Sequence, residues 1–224
     1  NKKKNLIAKK IDIAVHSLKD METQIALGTE IAVVLPREDR GDALIGPYST
    51  IDELPLGARI GTASVRRAAC LRHHRPDLEI ALLRGNVNSR IARLAEGEFA
   101  AIILAMAGLN RLQLDCDYHR LDETIMPTAA AQGVIAVQIK SSGSRADAVR
   151  ACLASAHCGE TADCITAERA VLAALDGSCR TPISAMADLD AAGRLSLSAA
   201  VLSADGQHKF AAEAEGSREQ AQQI

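Results

Sequence analysis

Short apolar runs alternate with stretches of helical spacing through the first two-thirds of the chain. Residues 11–16 (IDIAVH) and 31–35 (IAVVL) read as strands, followed by 58–61, 78–83 (LEIALL) and 99–105 (FAAIILA). Between them, 64–75 and 86–96 place apolar residues at helical spacing. The second closes at Gly97, a residue suited to the left-handed turn that ends helices. Strand–helix alternation with buried aliphatic strands predicts an α/β fold built around a largely parallel sheet. Two polar breaks, 36–42 (PREDRGD) and 127–133 (PTAAAQG), mark a domain that the chain leaves and re-enters. A helix over 160–175, a turn at Asp176-Gly177-Ser178 and alternating segments such as 195–202 (LSLSAAVL) predict a small α+β domain. The expected division is 1–36 with 133–153, then 37–132, then 154–224. No internal repeat or low-complexity segment interrupts it.

A length of 224 residues suits two or three small domains. The rings are Tyr48, Tyr118, Phe99 and Phe210, with no Trp, so the core is expected to be aliphatic. Net charge is −2, which creates no global field toward nucleic acid or a membrane. The local distribution is more informative. From Arg59 to Arg93 there are eight arginines, two acids (Asp77 and Glu79), no lysine and no aromatic residue. Single-strand binders interleave bases with stacking rings, whereas all-arginine usage favours bidentate grip on carboxylate or phosphate. The six cysteines (Cys70, Cys116, Cys152, Cys158, Cys164, Cys179) form no CxxC pair, which argues against zinc, and reduced thiols in a cytoplasm are expected. Cys70, Cys116 and Cys152 are expected to be buried, Cys158 and Cys164 to serve packing, and His73 and His74 to be exposed. No secretion signal and no apolar run of about 18 residues is visible. The basic start at Asn1, without Met, is not expected to be the natural N-terminus.

Four places carry candidate chemistry. His16-Ser17-Leu18-Lys19-Asp20 follows a strand, at the edge where open α/β sheets bind ligands; a solvated loop with an incidental ion pair is the alternative. Gly61-Thr62-Ala63-Ser64-Val65-Arg66-Arg67 opens a helix, where Thr62 or Ser64 can cap and free N–H groups attract anions, or where a plain cap carries surface arginines. Leu83-Arg84-Gly85-Asn86, with Arg90 a turn later, repeats that arrangement, and two such junctions suggest a polyanionic small ligand. Finally, Cys179 lies in a predicted turn beside Arg180, where a cation lowers a thiol's pKa; an inert structural thiol is the alternative.

In this order the segments resemble the porphobilinogen deaminase (hydroxymethylbilane synthase) family. The pieces are IDIAVHSLKD (11–20), REDRGDAL (37–44), GTASVRRAACLRHHRPDLEIALLRGNVNSR (61–90), AIILAMAGLNRL (101–112), AAAQG (129–133), TAERAVLAALDG (166–177) and SCRTPI (178–183). The resemblance implies two periplasmic-binding-protein-like α/β domains around a cleft, plus a small α+β domain bearing the cofactor cysteine. It implies a transferase of porphyrin and haem biosynthesis that joins four porphobilinogen units into hydroxymethylbilane, releasing ammonia. The primer would be a dipyrromethane held by a thioether on Cys179. Asp20 would be the catalytic carboxylate. Lys19, Arg37, Thr62, Ser64, Arg66, Arg67, Arg84, Gly85, Arg90, Arg111 and Gln132 would bind substrate or cofactor. No metal, nucleic-acid or membrane partner is implied, and a cytoplasmic monomer is expected. Against the family's pattern the N-terminal portion is expected to be missing, the third domain to be cut short, and Glu22 stands where proline is usual.

A non-catalytic anion-binding protein of the periplasmic-binding type would also explain the arginines, but it gives Asp20 and Cys179 no task. A nucleic-acid module is disfavoured by the scarce rings and the charge.

Overall fold

A computed structural model describes residues 2–114, 116–175, 177 and 181–224. Helix α1 (Lys2–Ile7) precedes strands β1 (Ala14–Ser17), β2 (Thr29–Val34), β3 (Asp42–Ile45) and β4 (Arg59–Gly61). Helix α2 (Val65–His74), β5 (Glu79–Ala81), α3 (Val87–Ala95), β6 (Ala101–Ala105), α4 (Met106–Leu112) and β7 (Tyr118–Arg120) follow. Then come β8 (Ile135–Lys140), α5 (Ser144–Leu153), α6 (Gly159–Ala174), β9 (Ile183–Leu189), β10 (Arg194–Leu202) and β11 (Lys209–Ser217).

The strands form three sheets, ordered β1-β8-β2, β5-β4-β6-β3-β7 and β11-β10-β9. The expectation of a largely parallel sheet is corrected here. Among the described residues only β4–β5 and β4–β6 pair in parallel, and every other pairing is antiparallel. Parallel neighbours need a crossover helix, and α2 and α3 supply the two that carry β4 to β5 and β5 to β6. Strand β3 is entered from the polar segment 35–41 instead, and it runs against both β6 and β7. Strand β8 returns from the second sheet and runs against β1 and β2. The alternation of strands and helices in sequence carries no sign for this direction.

Strand lengths also differ from the pattern. The run at 11–16 pairs with β8 only from Ala14 onward, and the run at 78–83 is strand only at Glu79–Ala81, matched to the three residues of β4. The core is aliphatic, with Phe99 the one buried ring among the described residues. One cluster packs α2 and the turn after β3 on the five-stranded sheet; another packs α3 and α4 on its opposite face. Helix α6 joins two sheets. Its Ile165 sits with Leu18, Val34, Ala131 and Val134, and its Cys164 and Ala167 sit with Ala187, Leu195 and Leu197.

Two side-chain expectations change. Cys152 is exposed near the end of α5, and Cys116 is half-buried, so only Cys70 of that trio is in the core. His73 is exposed as expected, its Nδ1 2.8 Å from the Gly206 carbonyl at the tip of the β10–β11 hairpin, whereas His74 is half-buried with its Nε2 2.7 Å from Asp52 Oδ1.

Candidate active site

The three sheets and α6 enclose a cavity of about 670 Å³. The turn after β1 reaches it first. Leu18 is fully buried and its N–H donates to the Val134 carbonyl at 2.9 Å. Anchoring Leu18 leaves the flanking Lys19 and Asp20 on the cavity wall. Ser64 caps α2, its hydroxyl accepting from the Arg67 N–H at 3.4 Å, and Asn86 caps α3 by accepting from the Ser89 N–H at 2.8 Å. These caps hold two helix starts, which favour anions, at the cavity's edge.

Of the residues expected in the site, the structure brings together Lys19, Asp20, Ser64, Arg66, Arg67, Gly85, Arg90, Arg111 and Gln132. It does not bring Arg37, Thr62 or Arg84 to the wall. Arg37 turns to α6, donating from Nη2 to Glu168 Oε1 at 2.8 Å and from Nη1 to the Gln132 carbonyl at 3.2 Å. The Thr62 hydroxyl accepts from the Ser64 N–H at 3.2 Å and shapes the turn instead. Arg84 is exposed outside the cavity. Cys179, with Asp176, Ser178 and Arg180, lies outside the described residues, although Thr181 on its far side lines the cavity.

A residue that pattern reading missed organises the centre. Asp42, at the start of β3, is 1% exposed and meets two arginines of α2, Arg66 and Arg67. Its Oδ2 accepts from Arg66 Nη2 at 2.6 Å, and its Oδ1 from Arg67 Nη2 at 2.7 Å. Gln132 Nε2 donates to the same Oδ1 at 2.8 Å, while its Oε1 accepts from Lys19 Nζ at 3.0 Å. The result is a continuous chain from Lys19 through Gln132 and Asp42 to two guanidinium groups. Burial works against the ionised form of Asp42, but the charges and hydrogen bonds of Arg66 and Arg67 outweigh it and hold the carboxyl well below the usual carboxylate range.

Positive charge dominates the wall. Lys19, Arg66, Arg67, Arg90, Arg111 and Arg169 line it, and Asp20 is the acid among the lining residues. Burial, followed by the Arg67 charge, pushes the Lys19 ammonium down to about 8, with Asp42 and Asp20 pulling the other way. Arg90 is lowered as well, by burial and then by Arg67. A cation disfavoured in the free site gains when a carboxylate enters. Arg66 and Arg67 each keep a buried Nε with no hydrogen-bond partner among the described residues.

Glu168 was also missed. It is fully buried, and besides Arg37 it accepts from the N–H groups of Ala131 (2.6 Å) and Ala187 (3.0 Å). Burial raises its pKa despite these partners. The available signal was its place in the helical stripe of Thr161, Cys164, Ile165 and Glu168, which makes it an acid on a buried helix face.

Two family models match the chain: "Porphobilinogen deaminase, dipyromethane cofactor binding domain" over residues 2–148, and "Porphobilinogen deaminase, C-terminal domain" over residues 162–224. Porphobilinogen deaminase of Caulobacter vibrioides is 45% identical over 207 residues, covering 92% of this chain and 63% of that protein. That of Ralstonia nicotianae is 47% identical over 207 residues, covering 91% and 61%. The chain therefore spans a little over three-fifths of the length of these curated relatives. Among solved structures, a periplasmic binding protein from Brucella ovis with glutathione bound has a TM-score of 0.42 at 16% identity, covering 78% of this chain and 52% of that one. A probable amino-acid ABC transporter extracellular-binding protein from Bacillus subtilis has a TM-score of 0.40 at 14% identity, covering 67% and 68%. The two family models together run from residue 2 to residue 224 with one short gap, and on that match the chain belongs to the porphobilinogen deaminase family.

Proposed function

We propose that this chain supplies the cationic cavity and the acid of a transferase that joins four porphobilinogen units into hydroxymethylbilane, with loss of one ammonia per unit. The observation that carries this reading is the gathering of Asp20, Lys19, Ser64, Arg66, Arg67, Arg90, Arg111 and Gln132, from distant parts of the chain, around one cavity. Porphobilinogen carries an acetate and a propionate arm, so a growing chain of such units presents many carboxylates. A cavity with several guanidinium forks and a lysine matches that charge.

The residues present fit a dipyrromethane primer. The partnerless Nε atoms of Arg66 and Arg67 are donors without acceptors, in a cavity whose size and charge suit a carboxylated oligopyrrole. Lys19, Ser64, Arg66, Arg67, Arg90, Arg111 and Gln132 would hold its acid arms, and Cys179 would carry it. When bound, the primer supplies the pyrrole carbon to which the first unit is joined.

The chain's own residues then have separable tasks. As the aminomethyl C–N bond of a substrate unit breaks and ammonia departs, positive charge develops on that pyrrole. Asp20, the acid on the wall, stabilises it electrostatically in a site already set for negative ligands. Lys19 and Arg90, both disfavoured as cations in the free site, fix the substrate's carboxylates. Arg37, Thr62 and Arg84 act from outside the wall: Arg37 braces α6, Thr62 shapes the turn before α2, and Arg84 meets ligand at the entrance.

The domain limits 1–36 with 133–153, 37–132 and 154–224 are supported by strand membership, since each sheet draws its strands from one of these spans. A cytoplasmic monomer is the working state. In its favour, one chain provides every residue assigned to the cavity.

Intact-mass measurement on freshly expressed full-length protein tests the reading. A covalent adduct of two linked pyrroles, mapped to Cys179, is expected, with Asp20→Asn retaining the adduct but losing turnover. An unmodified Cys179, or an Asp20→Asn protein with normal product formation, defeats it.

A further inference from the structure

Asp20 lies between two anchors. On one side Leu18 is buried and bonded to the first sheet through Val134. On the other side the chain has no regular structure between residues 21 and 28, so no strand ladder or helix fixes it. Three hydrogen bonds from another part of the molecule do so instead. Arg169, on the cavity-facing side of α6, donates from Nη2 to the carbonyls of Glu22 (2.9 Å) and Thr23 (2.7 Å). Thr23 Oγ1 donates to the Gly177 carbonyl at 2.9 Å, just past the end of α6.

Gly177 is itself tightly held. Its N–H donates to the Leu172 carbonyl at 2.7 Å, and a Cβ added there would lie 2.5 Å from Ile183 Cδ1. The anchor on the far side of Asp20 is therefore a fixed point of α6 rather than a loose turn. Arg169 is half-buried at the cavity wall, and burial lowers its pKa, so its guanidinium is held at a cost to its own hydration. Donating to two carbonyls of one segment is a use of arginine that fixes backbone.

We infer that Arg169 is a positioning residue for Asp20: with Thr23 it clamps Glu22 and Thr23 to α6 and Gly177, and so fixes the acid relative to the cavity wall that α6 forms. This inference rests on the functional reading above. Sub-ångström placement of a charge-stabilising group matters because a displacement of about 1 Å costs on the order of a hundredfold in rate. Helix α6 thereby ties the segment after Asp20 to one rigid element.

The test uses the full-length holoenzyme and three variants, Arg169→Leu, Arg169→Lys and Thr23→Val. Two readouts are compared: steady-state kcat and KM for porphobilinogen, and amide hydrogen exchange over residues 21–24. Arg169→Leu is expected to lower kcat on the order of tenfold or more, to leave KM within about twofold, and to speed exchange at 21–24. Arg169→Lys is expected to recover part of both, because an ammonium still donates to carbonyls. Thr23→Val, which deletes a single hydroxyl, is expected to shift both readouts the same way by less; should Arg169→Leu fail to fold, Thr23→Val decides. Wild-type kcat in the variants, unchanged exchange at 21–24, or a raised KM at unchanged kcat each overturns the positioning role, the last making Arg169 a ligand-binding group. A wild-type protein that makes no product sinks the functional reading itself, which separates the two failures.

Discussion

The junctions that open α2 and α3 are written in similar letters, yet they end in opposite environments. Each runs from a strand through a turn to a polar cap, Ser64 or Asn86, and each carries arginines on its first turns. Arg66 and Arg67 of α2 are 4% and 5% exposed, and six consecutive residues of that helix, Arg66 to Leu71, are buried. Helix α3 buries none of its residues; Arg84 before it is exposed and Arg90 is only half-covered, its Nε donating to the Gly85 carbonyl at 2.9 Å. The difference is Asp42, 24 residues before Arg66, which the antiparallel placement of β3 beside β6 puts behind α2. Among the described residues no acid forms an ion pair with Arg90. The same local grammar therefore yields a fixed cationic floor at one junction and an adjustable cationic arm at the other.

The strongest way to break this comparison is to remove the acid. Asp42→Asn keeps the shape but leaves two buried guanidinium groups facing a neutral amide. Removing one partner from a buried ion cluster costs about 3–5 kcal/mol, so the midpoint of denaturant unfolding should fall steeply at neutral pH. The pH dependence supplies a second signature. The Asp42 carboxyl is depressed below its ordinary value of 3.8, so the stability it contributes is present above about pH 4 and is lost as pH falls further. Asp42→Asn should lack that acid-side loss. A cost below about 1 kcal/mol would show that the floor is not held by this carboxylate.

How much of this was legible beforehand follows the range of each interaction. Ser64 and Asn86 are caps whose partners lie three residues away, and Gly97 ends α3 with a φ of +77°, so local spacing sufficed for them. The alternation at 195–202 likewise became β10, with Leu195, Leu197, Ala200 and Leu202 buried. Asp42 and Glu168 escaped notice because their partners lie 19 to 131 residues away and no periodicity connects them. Strand direction escaped for the same reason. Arg37 shows the converse: a basic residue in a site-like motif is expected at the ligand, and its guanidinium pairs with Glu168 of α6. The family resemblance carried the wall residues, while the polar chain behind them needed the fold.

Changing the arm rather than the floor should have a different profile. Arg90→Leu removes a half-exposed side chain whose hydrogen bond goes to its own turn, so unfolding stability should move by no more than about 0.5 kcal/mol. Loss of a charge-assisted contact to a substrate carboxylate, worth about 1.5–3 kcal/mol, should raise KM for porphobilinogen on the order of ten- to a hundredfold. Chemical unfolding and steady-state kinetics on the same preparation give both numbers. A large stability loss, or an unchanged KM, would place Arg90 with the floor or outside the site.

Lys19 tests the link between the two regions, because it touches the floor through Gln132 and lines the same cavity as Arg90. Its ammonium is pushed down from 10.5 to about 8, by burial first and Arg67 second. Between pH 8 and 10.5 the folded lysine is therefore mostly neutral while the unfolded one is charged. The unfolded state then binds more protons, so this residue makes stability rise with pH across that window. Binding runs the other way: above about pH 8 the free site loses the ammonium that meets a carboxylate, and KM should climb. A bound carboxylate favours the charged form, so the apparent pKa should move up when substrate is present. Lys19→Met should flatten the Lys19 part of both trends, lowering the KM slope above pH 8 by a few-fold and removing the alkaline gain in stability. Parallel pH series of unfolding and of KM on the two proteins are decisive, because a general alkaline effect would lower stability as KM climbs and would survive the substitution.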